Sequence, residues 1–174
     1  SLGTQPIYLF GTDAQKEEGL PRLTAGAILG AFGLTEPGSG SDAAALRTRA
    51  DRDGNQWKLN GAKAFISGGG SSDLYLAMVR TGADGPKGVS AVMIEDGTEG
   101  LSFGANERKM GWRAQPTSLV QFDDCKVPAN HLIGEEGDGF KYAMAGLDGG
   151  RLNIAASALG AAQCALDKAL REKL

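Results

Sequence analysis

Leu34-Thr35-Glu36-Pro37-Gly38-Ser39-Gly40-Ser41-Asp42 closes an apolar run that begins at Ile28 and turns the chain out of a strand. Pro37 fixes φ and removes a backbone donor, while Gly38 and Gly40 permit positive φ and leave room for a ligand to approach. Thr35, Ser39 and Ser41 set hydroxyls beside backbone N–H groups, a concave arrangement suited to phosphate oxygens or the polar edge of a ring. The same residue types also make an ordinary surface turn. The choice between the two depends on what surrounds the stretch.

Downstream, Leu46, Thr48 and Ala50 alternate with Arg47, Arg49 and Asp51, as in a strand with one wet face. Asp53-Gly54-Asn55 is a hairpin signal, and Trp57-Lys58-Leu59-Asn60 begins the return strand. Ala62 to Ser67 continues or follows that strand and ends in Gly68-Gly69-Gly70. Residues 74–79 and 89–94 are continuous apolar runs suited to buried strands, with a polar loop over 82–88 between them. Residues 101–103 and 118–122 supply two more. Strands at about ten-residue spacing, punctuated by Gly, Asp or Pro, predict an all-β sandwich or barrel over 28–133.

Helical patterns flank this block. Thr12 or Asp13 caps a short helix over 14–18, which Gly19 and Pro21 are expected to end. Leu2, Ile7, Leu9 and Phe10 form apolar surface that this segment alone cannot bury. After Gly134, Phe140, Met144 and Leu147 share one helical face, and Ile154, Ala158, Ala162, Leu166 and Leu170 share another. Gly149 and Gly150 between them would each cost about 1 kcal/mol relative to Ala, so a break is expected there, with Asp148 capping the second helix.

The 174 residues suffice for one full domain and pieces of another. With 41% hydrophobic and 22% charged residues the composition is that of a soluble globular chain, and 27 glycines at turns fit many tight connections. A net charge of -3, with scattered basic residues, gives no nucleic-acid footprint. No stretch of the sequence given has the length of a membrane-spanning apolar run or the pattern expected of a signal peptide. Cys125 and Cys164 match no metal or redox spacing and are expected to be reduced thiols. His131 has no second ligand or catalytic partner of its type and reads as structural or solvated. A start without Met and unburied apolar faces at both ends lead to the expectation of a piece of a larger protein.

Taken in order, the quoted stretch is followed by Leu59-Asn60-Gly61-Ala62-Lys63, Phe65-Ile66-Ser67-Gly68-Gly69 and Lys109-Met110-Gly111-Trp112-Arg113. Phe122-Asp123-Asp124-Cys125-Lys126-Val127-Pro128 and Leu132-Ile133-Gly134-Glu135-Glu136-Gly137-Asp138-Gly139-Phe140 complete the series. In this order and at these separations the chain resembles the acyl-CoA dehydrogenase family along essentially its whole length. The resemblance implies a mainly β fold with flanking α. Its parts are the tail of an N-terminal helical domain over 1–27, a middle β-barrel over 28–133 and the start of a C-terminal helical bundle over 134–174. It further implies FAD as cofactor, an acyl-CoA substrate, an electron-transfer flavoprotein as acceptor and a homotetramer. The implied location is the bacterial cytoplasm or the mitochondrial matrix.

The implied reaction removes an α-proton with a carboxylate base and transfers a hydride from the β-carbon to the flavin, giving a trans-2-enoyl-CoA. Residue by residue, Phe32, Leu34 and Thr35 are implied to line the flavin, with Thr35 at its polar edge. Gly40 and Ser41 would approach FAD or the phosphate and pantetheine of the substrate. Phe65 would pack on the ring, with Ile66 and Ser67 beside it. Phe65 stands where many family members carry Trp, so it can pack but not donate a hydrogen bond. Asp148, Gly149, Gly150 and Arg151 match a substrate-binding loop. The family's catalytic glutamate has no counterpart here, since Glu36 belongs to the loop and Glu135/Glu136 look like a solvated helix start. The stretches 109–117 and 147–155 are most similar to short branched-chain, isobutyryl-type members, which act in fatty-acid and branched-chain amino-acid breakdown. A non-catalytic β-barrel that binds a flavin or nucleotide, and an oxidase on the same fold, are the alternative readings.

Overall fold

The computed structural model describes residues 2–172, so Ser1, Lys173 and Leu174, at the outer edges of the expected domain bounds, lie outside it. Two helices, α1 (Gln5–Phe10) and α2 (Asp13–Thr24), precede eight strands. The strands are β1 (Gly30–Gly33), β2 (Arg49–Asp53), β3 (Gln56–Ser67), β4 (Leu74–Arg80), β5 (Val89–Glu95), β6 (Leu101–Phe103), β7 (Thr117–Pro128) and β8 (Leu132–Ile133). A single long helix, α3 (Gly139–Arg171), follows them.

The strands form one mixed sheet in the order β6-β7-β3-β2-β4-β5-β8. One edge of β4 carries β5 antiparallel. Its other edge is shared by β1, parallel over 74–77, and by β2 at Arg80. The β2–β3 hairpin turns through Gly54 and Asn55, with Asp53 opposite Gln56 and Gly54 at φ 58. Only a residue tolerant of the left-handed region fits there, as the Asp-Gly signal requires.

Continuous apolar runs in β4 and β5 follow from burial on both faces. Tyr75, Ala77 and Val79 of β4, with Val92 and Ile94 of β5, join Trp57, Leu59, Val120 and Phe122 in an inner cluster. Because that cluster draws on strands from both ends of the path, the sheet is curled on itself. The Tyr75 and Phe103 rings, 5.2 Å apart, bring β4 and β6 together across the curl. Leu74, Leu76 and Met78 face the other way, into an outer cluster with Val89, Ala91, Ile133, Tyr142 and Ala143. Full burial of a side chain such as Leu76 contributes about 1.5–3 kcal/mol.

The flanking helices correct three sequence expectations. Ile7 and Phe10 are not unburied surface: Ile7 is fully buried in the outer cluster, and Phe10 stacks on Tyr142 of α3 at 4.0 Å between centroids. The second helix does not stop at Gly19 and Pro21. It opens with the Thr12–Gln15 capping box and runs through both residues to Thr24. Pro21 removes only the hydrogen bond to Glu17, which is exposed and can turn to water, while Leu20 and Leu23 on either side pack against the outer cluster. Nor is there a break at Gly149-Gly150, because α3 is continuous. Glycine weakens a helix without removing its amide, and two such residues do not outweigh the turns on either side. Phe140, Met144 and Leu147 dock on the outer cluster as their spacing predicts. From 151 onward every described residue of α3 is exposed.

Gln15 fastens α2 to the sheet. Its Nε2 donates to the carbonyls of Asn130 at 2.7 Å and Leu132 at 2.8 Å. Gln15→Ala removes both bonds and leaves two carbonyls short of a donor, a loss of about 1–3 kcal/mol. Urea unfolding measures it, and unchanged stability would mean that α2 is not anchored there.

Candidate functional site

The loop leaving β1 is organised by a buried ion pair. Glu36 and Ser39 exchange backbone hydrogen bonds at 2.9 and 3.1 Å, closing a tight turn over Pro37 and Gly38. The Glu36 carboxylate points inward and accepts the amides of Arg47 at 2.6 Å and Thr48 at 2.9 Å. Lys63 of β3, with 0% of its side chain exposed, reaches Glu36 Oε1 at 2.7 Å and the Leu34 carbonyl at 3.3 Å. One carboxylate and one ammonium thus tie β1, the turn, the start of β2 and the middle of β3 to a common point.

Burial is the largest influence on both charges. It pushes the Lys63 ammonium down to about 8 despite the pull of Glu36, with the Arg80 cation adding to the push. For Glu36, burial acts upward, but Lys63 and the hydrogen bonds from Thr48 and Arg47 outweigh it and hold the carboxyl below its ordinary value. Arg80 clamps the far end of the same loop through backbone carbonyls. Its Nε donates to Leu46 at 2.8 Å, and its other nitrogens reach Ala44 at 2.7 Å and Ala83 at 2.5 Å.

Immediately after Lys63 the β3–β7 ladder slips. Lys63 pairs with Val120 and Ile66 with Ser118, so Ala64 and Phe65 stand opposite Leu119 alone. In this bulge the Ala64 amide leaves the ladder and donates to the Thr35 carbonyl at 2.8 Å. Phe65 is left with φ 57 and 67% of its surface exposed. A bulky aromatic in the left-handed region is an outlier that the surroundings must enforce.

The bulge brings Thr35 and 65–67, the residues grouped by the family resemblance, side by side, although not each of them presents its side chain. Leu34 lies in the outer cluster and Ile66 in the inner one, so at these two positions only the backbone remains for a ligand. Phe32 is half-buried against the outer cluster. The hydroxyls of Thr35, Ser41 and Ser67 make no hydrogen bond to the described residues. Ser39 is a correction: it is buried, and its hydroxyl donates to the Asp42 carbonyl at 2.6 Å, so it faces no ligand. Gly38 and Gly40 correct a second point, since neither has a positive φ. A Cβ at either would meet nothing within 4 Å, which leaves open space as the feature the glycines preserve.

A cleft of about 470 Å³ opens beside Ser67, lined also by Gly68, Ser71, Ser72, Gln115 and Pro116. Another of about 490 Å³ lies over Glu36, Pro37, Gly38, Arg47 and Thr48. A third, of about 340 Å³, between Gln15, Arg22, Met93 and His131, shares no residue with either. Asp148 and Arg151 pair with each other at 2.9 Å on the exposed surface of α3, and no hydrogen bond or ion pair joins 148–151 to the loop among the described residues. Glu135 and Glu136 are exposed. Cys125 is buried, which raises its thiol to about 11, and Cys164 is exposed. No helix among the described residues is long and apolar enough to cross a membrane.

The family description "Acyl-CoA dehydrogenase, middle domain" matches residues 31–125, and "Acyl-CoA dehydrogenase, C-terminal domain" matches 137–172. The chain belongs to the acyl-CoA dehydrogenase family. It is 54% identical over 161 residues to the mitochondrial isobutyryl-CoA dehydrogenase of Dictyostelium discoideum, a match covering 92% of this chain and 39% of that protein. The butyryl-CoA dehydrogenase structure from Megasphaera elsdenii superposes with a TM-score of 0.87 at 46% identity, covering 91% of this chain and 43% of that one. A glutaryl-CoA dehydrogenase in complex with glutaryl-CoA superposes at 0.92 with 36% identity, covering 98% and 44%. The chain therefore spans about two-fifths of the length of these relatives.

Family membership implies a flavin, and the edge formed by Thr35 and 65–67 fits one. It offers a strained, exposed aromatic face, two unengaged hydroxyls at Thr35 and Ser67, and open space over Gly38 and Gly40. Sequence reasoning missed the role of Lys63. A signal existed in the alternation of Trp57 and Leu59, which carries on to position 63 and predicts an inward lysine in need of an acid.

The ion pair makes a clear energetic prediction. Lys63→Met and Glu36→Gln each leave a buried partner uncompensated and cost about 3–5 kcal/mol in urea unfolding, while the double variant loses less than their sum. Because the Glu36 carboxyl is lowered on folding, its contribution is present above the unfolded value and is lost as pH falls through the folded one. The acid-side loss of stability is accordingly smaller in Glu36→Gln. Strictly additive single losses would contradict the coupling.

Proposed function

We propose that this chain supplies one wall of the flavin site of an FAD-dependent dehydrogenase acting on an acyl-CoA thioester, forming the 2-enoyl-CoA. When bound, FAD would accept the hydride from the acyl β-carbon. The chain's own residues bind and orient. Phe65 offers its face to the ring, while Thr35 and Ser67 offer hydroxyls to the polar edge. Ser41, Gly40 and the open space over Gly38 take the more polar parts of cofactor or substrate, and Asp148, Gly149, Gly150 and Arg151 are assigned to the CoA portion. No described residue is assigned as the base that removes the α-proton, so the chain by itself is expected to be inactive.

The similarity to isobutyryl-CoA and butyryl-CoA dehydrogenases supports a short acyl chain, branched or straight, and a place in branched-chain amino-acid or fatty-acid breakdown. The other proposed features are an electron-transfer flavoprotein as acceptor, a homotetrameric whole protein, and the matrix or bacterial cytoplasm as location. The division into 1–27, 28–133 and 134–174 is proposed on the same footing.

The observation that carries this reading is Phe65, held at φ 57 with two-thirds of its surface exposed. An apolar ring in a strained conformation on the surface adds nothing to the fold, and such strain persists where a ligand uses it. Phe65→Gly relieves the strain and removes the face. It is expected to raise stability by about 1 kcal/mol in urea unfolding while weakening FAD binding, followed by quenching of flavin fluorescence. Unchanged FAD affinity in that variant would overturn the reading, and measurable acyl-CoA turnover by this chain alone would overturn its assignment as a single wall.

A further inference from the structure

We propose that Lys63 and Glu36 are a positioning pair for the flavin-facing edge. Lys63 Nζ, bridging the Leu34 carbonyl and the Glu36 carboxylate, fixes the separation between Thr35 and 65–67. The inference rests on the FAD-dependent reading above and assigns to this pair a part in that site's affinity.

The geometry makes the connection short. Lys63 is the last paired residue before the β3–β7 ladder slips at 64–65, and the next amide, Ala64, is the one diverted to Thr35 at 2.8 Å. On the other strand, Lys63 holds the carbonyl before Thr35 at 3.3 Å and the carboxylate after it at 2.7 Å. Thr35 is thus gripped on both sides by the residue that launches the bulge. Loss of the ammonium would remove the charge-assisted hold on Leu34 and Glu36 together, leaving the Glu36 carboxylate to the Arg47 and Thr48 amides and the Ala64–Thr35 backbone hydrogen bond between the two halves of the edge.

Stability alone does not account for the pair. A buried ion pair is often no better than well-packed apolar residues of similar volume, because desolvating two charges offsets their attraction. What the pair provides that a methionine would not is a fixed, directional link between two strands and a turn. The charged groups acting on Lys63 are Glu36, which favours its ammonium, and Arg80, which opposes it. With burial, these bring its titration to about 8.

The sign of the linkage separates positioning from stability. Lys63 is lowered on folding, so in the window above about 8 the unfolded chain binds more protons than the folded one. Deprotonation of Lys63 in that window therefore does not reduce its contribution to global stability, which rises with pH. Flavin affinity is expected to move the opposite way, because the fraction of molecules with the link intact falls. If only those molecules bind, the apparent Kd rises about tenfold between about pH 7 and pH 9.

The test is a fluorescence titration of this chain with FAD across that range, with urea unfolding on the same samples. The wild-type chain should lose about tenfold in affinity without losing stability. Lys63→Met should bind more weakly at pH 7 and show no corresponding step, and Lys63→Arg, which keeps its charge, should retain affinity at the higher pH. Should a variant fail to fold, the wild-type profile decides the matter alone. A flat wild-type profile with FAD bound overturns the positioning role and leaves the FAD reading standing. A drop in affinity that follows a drop in stability also overturns the role. Absence of FAD binding at every pH overturns both.

Discussion

The contact between Lys63 and Glu36 is the constraint on which the candidate site depends. At 2.7 Å, with both side chains buried, it leaves neither residue free to move alone. Through Glu36 it fixes the amides of Arg47 and Thr48, and through Lys63 the carbonyl of Leu34. The loop from 34 to 48 consequently has a defined path although little of it is regular structure. Arg80 does the same at its other end, donating to Ala44 and Leu46. Two buried cations, one paired with a carboxylate and one enclosed by carbonyls, hold a glycine-containing turn open toward solvent.

The curled sheet makes that arrangement possible. β4 separates two apolar clusters and carries β1 and β2 along one edge, so the loop between β1 and β2 must arch over its end. β3 passes beside the arch, and its bulge turns Phe65 outward at the level of Thr35. The helices are set from the outside. Gln15 ties α2 to the segment before α3, and Phe10 stacks on Tyr142 at the start of α3.

Much of this was legible in the sequence. Most of the strands, the Asp-Gly hairpin and the docking face of Phe140, Met144 and Leu147 follow from local patterns that tertiary packing reinforces, whereas the two-residue β8 and the continuation of β7 to Pro128 do not. What was misread has identifiable causes. Gly19, Pro21, Gly149 and Gly150 weaken a helix by local propensity, and packing or the length of the element overrides them. The burial of Ile7 and Phe10 depends on contacts with residues more than a hundred positions away, which no local window contains. At the site, the residue types of the loop signalled a ligand, but Ser39 turned inward to brace it. The bulge at Phe65 was invisible because nothing in Ala64-Phe65-Ile66 departs from an ordinary strand, and its register is set by β7.

The central claim is that a flavin meets this chain along the edge formed by Thr35 and 65–67. An amide chemical-shift map of the chain titrated with FAD tests it most directly. The account predicts that perturbations concentrate at Thr35, Ala64, Phe65 and Ser67 and extend into Gly38 to Ser41. Perturbations confined to the cleft between Gln15, Arg22 and His131, with the Thr35 and Phe65 amides unmoved, would contradict it.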